Sequence, residues 1–138
     1  VRFYTLNGKL VNTNISKYTV DWDRKCRSII QFKVKQFLKP YWQGYLCYEE
    51  LCCTGTLLKI DFLNLSLKIA IETMGVQHGT YNSFFHRGNP ANYLKGIKND
   101  LKKAQWLEKN GIKLIEIMEE EVPHLSRDFF KEKFDVLL

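Results

Sequence analysis

The 138-residue sequence has no apolar run long enough to cross a bilayer. Its opening, VRFYTLNGKL, lacks the extended apolar centre of a signal peptide, so a cytoplasmic protein is expected, or one kept wherever DNA is. No internal repeat, low-complexity stretch or linker divides the chain, and no disorder signature appears. Cys26, Cys47, Cys52 and Cys53 form no Cys-x-x-Cys pair. A paired zinc knuckle is therefore not indicated, and the thiols read as reduced core residues. Nothing points to an organic cofactor. What remains is one domain of ordinary size, 45% hydrophobic, able to build a real core.

Charge is unevenly spread. The net charge is +6, and residues 1–60 carry ten Lys or Arg against four Asp or Glu, which accounts for all of it. Residues 61–91 balance at two and two, and residues 92–138 at nine and nine. A basic N-terminal part suggests a polyanionic partner, most simply nucleic acid. Lys33, Lys35 and Lys39 are the candidate DNA contacts in this part.

The pattern of elements predicts an α/β fold with a mixed sheet. Asn7-Gly8 supplies the turn of an N-terminal β-hairpin within residues 1–20. A helix follows, with Asp21, Asp23 or Ser28 as its cap. Ile30, Val34, Phe37 and Tyr41 recur at helical spacing, and Pro40 is expected to end it. YLCYEELCC reads as a short strand. TLLKIDFL and LKIAIETM read as two central strands because they are nearly continuously apolar. A loop over 75–93 leads to a second helix whose expected inner face is Ile97, Leu101 and Ala104, with Leu107 beside them and Gly111 closing it. IKLIEIM is a final strand parallel to its neighbour, and residues 119–138 form a helical tail.

Two carboxylates interrupt the central strands. A tight turn at Ser66-Leu67 would put Asp61 directly opposite Glu72. Opposed like charges destabilise a sheet, so something positive should lie between them. A lysine could serve, and so could Mg²⁺, which favours hard oxygen ligands.

Asp61, ten intervening residues, and Glu72 within IAIETMGVQH resemble the PD-(D/E)XK nuclease superfamily. The likeness is greatest to the branch of very-short-patch-repair-type endonucleases and related phage and homing endonucleases, and it covers about residues 27–118. The resemblance implies a restriction-endonuclease-like central mixed sheet flanked by helices, and hydrolysis of DNA phosphodiester bonds with Mg²⁺, for which Mn²⁺ could substitute. It assigns Asp61 and Glu72 as metal ligands and catalytic residues. The motif lysine is replaced by Met74, which leaves Gln77 and His78, just beyond the strand, as candidate catalytic residues. Glu49 and Glu50 are candidate additional acids. His86 and Arg87, in the loop, are candidate DNA contacts. A homodimer is left open. The alternative is a non-enzymatic DNA-binding module on the same fold, weakened by the loss of the lysine. A third class is an assembly protein that docks a partner through its first helix.

Overall fold

The computed structural model describes residues 1–75 and 90–138, with the backbone alone for 90–93. The chain begins with two short antiparallel strands, β1 (Arg2–Tyr4) and β2 (Leu10–Asn12). Gly8, at φ +85°, makes the turn between them. After a 3-10 turn at Ser16–Tyr18 comes α1 (Ile29–Trp42). Three strands follow: β3 (Cys47–Cys52), β4 (Lys59–Asn64) and β5 (Ile69–Met74). The second helix, α2 (Pro90–Lys109), leads into β6 (Lys113–Met118), and α3 (Arg127–Phe134) closes the chain.

Strands β3 to β6 form one sheet in sequence order. β3, β4 and β5 are antiparallel, whereas β6 runs parallel to β5. Parallel neighbours need a long crossover, and α2 is that crossover. The fold is therefore α/β, with a mixed sheet flanked by helices and an N-terminal hairpin. Among the described residues, no helix is long and apolar enough to cross a membrane.

Side-chain alternation divides the core. Phe62 and Ile71 point to one side, where Val34, Leu38 and Trp42 of α1 and Phe130 of α3 meet them. Leu63 and Ala70 point to the other, against Trp106 and Leu107 of α2 and Phe3 of the hairpin. The hairpin is thus part of the core. Phe3 packs on Trp106 with ring centroids 5.2 Å apart. The Asn110 side chain accepts from Tyr4 N at 2.7 Å and donates to Tyr4 O at 3.0 Å.

One local expectation is narrowed and two need correction. Of the three capping candidates, Ser28 caps α1, accepting from Gln31 N at 3.2 Å. Pro40 lies inside α1, and the helix runs on to Trp42. The inner face of α2 is not the Ile97–Leu101 stripe, since these residues are 42% and 57% exposed. Leu107 is buried as expected, together with Trp106, because the C-terminal half of α2 is what packs on the sheet.

Candidate functional site

The site begins with the β4–β5 hairpin. Asn64 Oδ1 accepts from Leu67 N at 3.0 Å, and Lys68 takes a left-handed conformation at φ 56°, so the chain reverses within a few residues. The turn sets the register Phe62↔Ile71, Leu63↔Ala70 and Asn64↔Ile69. One step further this register brings Asp61 level with Glu72, on the face covered by α2. There the ladder stops and a side chain takes over. Thr73 N and Thr73 Oγ1 each donate to Asp61 Oδ2, both at 2.8 Å.

Glu72 is 6% exposed, and its Oε1 is buried and accepts no hydrogen bond. Its carboxyl is pushed up to about 8 from the ordinary glutamate value of 4.5. Burial is the main cause, the Asp61 carboxylate adds to it, and Asp100 on α2 adds a smaller share. Lys103 opposes the rise, its Nζ lying 3.6 Å from Glu72 Oε1. The Cys53 thiol, buried nearby, is pushed up to about 12 by burial and, to a lesser degree, by Glu72. Such a thiol is a packing group, not a nucleophile.

Lys103 is the site residue that sequence reasoning missed. It lies three residues before Trp106, the largest fully buried side chain of α2, and so shares its face. Anchoring the helix on that tryptophan would have aimed both Lys103 and Asp100 at the carboxylates. Met74, in the motif-lysine position, is buried.

Other candidates are dispersed. Lys35 is fully buried, 2.7 Å from Glu49 Oε2, and also donates to Arg24 O at 2.7 Å. Neither Lys35 as a phosphate contact nor Glu49 as a metal-side acid survives, because each neutralises the other beneath α1, on the opposite side of the sheet. Lys39 is 2.7 Å from Asp23 Oδ1, while Lys33 is exposed. Glu50 is exposed at φ 51° and acts electrostatically on Cys26, which contacts Glu49. Gln77, His78, His86 and Arg87 lie outside the described residues.

A metal fits this pair only in a particular way. Among the described residues, no group of three His, Cys, Asp or Glu is arranged to hold an ion. Zinc, which needs three or four nitrogen or sulfur ligands, is poorly matched. Two carboxylates, one with an orphaned buried oxygen, match Mg²⁺, which binds through one or two carboxylates and keeps several waters.

No family profile and no solved structure matches the sequence. Two viral proteins do. The chain is 44% identical over 64 residues to "Uncharacterized protein 094L" of Frog virus 3 (isolate Goorha), covering 46% of this chain and 41% of that protein. It is 36% identical over 93 residues to "Uncharacterized protein 033L" of Invertebrate iridescent virus 3, covering 67% of this chain and 46% of that protein. The match therefore spans less than half the length of either viral relative.

Proposed function

We propose that the chain is a metal-dependent endonuclease hydrolysing phosphodiester bonds in DNA, on a restriction-endonuclease-like fold. The observation that carries this reading is the meeting of Asp61, Glu72 and Lys103 on one face of the sheet. There, burial and the neighbouring Asp61 carboxylate raise Glu72 in spite of Lys103. Carboxylates crowded in this way are costly in a resting protein and useful where a cation is to be held.

Asp61 and Glu72 would hold the ion. Bound there, Mg²⁺ would polarise the scissile phosphate and lower the pKa of an attacking water. Thr73, through its amide and hydroxyl, fixes Asp61 Oδ2 and leaves the other carboxylate oxygen to bind. Lys103 supplies the ammonium that Met74 cannot. Its three protons can steady a phosphate oxygen or the water, and its charge helps keep Glu72 ionised for binding. Gln77 and His78 remain candidates for orienting the water.

The test is nicking of supercoiled plasmid with Mg²⁺ or Mn²⁺, coupled to calorimetric titration of Mn²⁺. Asp61→Asn should abolish cleavage and weaken metal binding while the fold is retained. Lys103→Ala should lower the rate about 10²- to 10³-fold with little change in DNA affinity. Equal Mn²⁺ affinity in wild type and Asp61→Asn would overturn the shared site. The burial of Met74 in the lysine position keeps the second reading, a DNA-binding module without catalysis. That reading is preferred if DNA binds but is never cut.

A further inference from the structure

Between the hairpin, the turn before β4 and α2 lies a cleft with three walls. The hairpin turn contributes Asn7 and Lys9, the turn before β4 contributes Gly55 to Leu58, and α2 contributes Asn99 and Lys102. None of the described residues lining it is acidic. We propose that this cleft binds the sugar-phosphate backbone of the DNA strand on which the Asp61–Glu72 site acts, an inference that rests on the nuclease reading.

Three features carry it. The first is chemistry. Two ammonium groups and two side-chain amides converge, and all are hydrogen-bond donors suited to phosphate oxygens. The second is rigidity. Phe3 stacked on Trp106, together with the paired hydrogen bonds between Asn110 and Tyr4, seats the hairpin on α2. The hairpin turn also touches the turn before β4, since a Cβ at Gly55 would come within 3.1 Å of Thr5 Cγ2. Lys9 and Lys102 are thereby held across a common space rather than on independent loops.

The third feature is continuity with the carboxylates. Residues 99 to 103 make about one helical turn. Asn99 and Lys102 face the cleft, whereas Lys103 reaches to 3.6 Å from Glu72 Oε1. Leu58 lines the cleft three residues before Asp61, about 10 Å away along an extended strand. At the rise of 3.4 Å per nucleotide in a duplex strand, that separation is about three nucleotides. A strand lying in the cleft would thus enter the site directly. The basic side of α1 offers no such path, because Lys35 is buried, Lys39 is engaged by Asp23, and the helix lies across the sheet from Asp61.

The experiment is fluorescence anisotropy of a labelled DNA duplex in EDTA across a salt series. Lys9→Ala/Lys102→Ala should lower the slope of log affinity against log salt by about 1.8, two phosphate contacts at 0.9 each. Lys9→Arg/Lys102→Arg should restore the slope, and Lys33→Ala should leave it unchanged. A wild-type slope in the double alanine variant, or a larger drop in Lys33→Ala, would overturn the cleft. Failure of the cleft and failure of the nuclease reading are distinguishable. A wild-type chain that binds with the expected slope change yet never nicks plasmid retires the nuclease and keeps the cleft. Nicking with an unmoved slope does the reverse. No salt-dependent binding by the wild-type chain overturns both.

Discussion

Each face of the central sheet buries a glutamate, and the two faces treat it differently. Under α1, Glu49 lies 2.7 Å from the fully buried Lys35 ammonium, and the Cys26 thiol contacts its other oxygen at 3.6 Å. The Arg24 guanidinium also lies 4.0 Å from that carboxylate, and the lysine is further satisfied by a backbone carbonyl. Under α2, Glu72 shares its space with Asp61 and feels Asp100, with Lys103 3.6 Å away as the cation that meets it among the described residues. The contrast separates two uses of buried charge. The first face sets cations against its carboxylate, whereas the second crowds carboxylates together. Residue type alone does not distinguish them, because both faces use glutamate and lysine.

The largest test of this contrast is on the α1 face. Lys35→Ala should destabilise the protein by about 3–5 kcal/mol, since it leaves Glu49 buried without its nearest cation. Lys35→Met/Glu49→Leu should recover much of that loss, as both charges go together. Urea denaturation measures both, and equal losses in the single and double variants would mean that Lys35 and Glu49 are not coupled.

On the α2 face the sign reverses. Folded Glu72 keeps its proton up to about pH 8, whereas an ordinary glutamate loses it at 4.5. Between these values the folded state binds more protons than the unfolded state, so stability falls as pH rises from 4.5 to 8. Glu72→Gln should flatten this fall and raise stability at pH 8 by about 1–3 kcal/mol. Mg²⁺ should restore the wild type more at pH 8 than at pH 5.5, because the ion binds the ionised carboxylate. Scanning calorimetry at the two pH values checks both outcomes. A wild-type midpoint that did not change with pH would remove the distinction between the faces.

The smallest effect concerns how the α2 face is held. A neutral pair of hydrogen bonds, not an ion pair, fastens the hairpin there. Asn110→Ala should therefore cost about 1 kcal/mol, with no dependence on salt. Thermal melts at two ionic strengths would read it. A salt-dependent loss would mean that charge contributes to this seat as well.

The parts legible in the sequence are those governed by short periods. Alternation along β4 and β5 was enough to bring Asp61 level with Glu72, and Asn7-Gly8 was enough to mark the hairpin. The buried Lys35–Glu49 pair was not legible. Its partners lie on a helix and a strand, and no local spacing marks a lysine that turns inward. The inner face of α2 was misread because Ile97 and Leu101 do recur at helical spacing, yet only the C-terminal half of the helix meets the sheet. The Trp106 face carries polar Lys103 and Asn110, which weakens it as an apolar signal while placing Lys103 beside Glu72 and Asn110 against the hairpin.

The clasp between Tyr4 and Asn110 joins residues 106 positions apart. During synthesis, β1 and β2 leave the ribosome well before their seat on α2 exists. At about 5–20 residues per second, Phe3 and Tyr4 wait roughly 5–20 s for Trp106 and Asn110 to be made. Through that interval the hairpin has no core to join, and its apolar face is open to chaperones or to a neighbouring nascent chain. The hairpin is thus made before β3 to β5 yet finds its seat after them, and a cleft wall built from it forms only once α2 is complete.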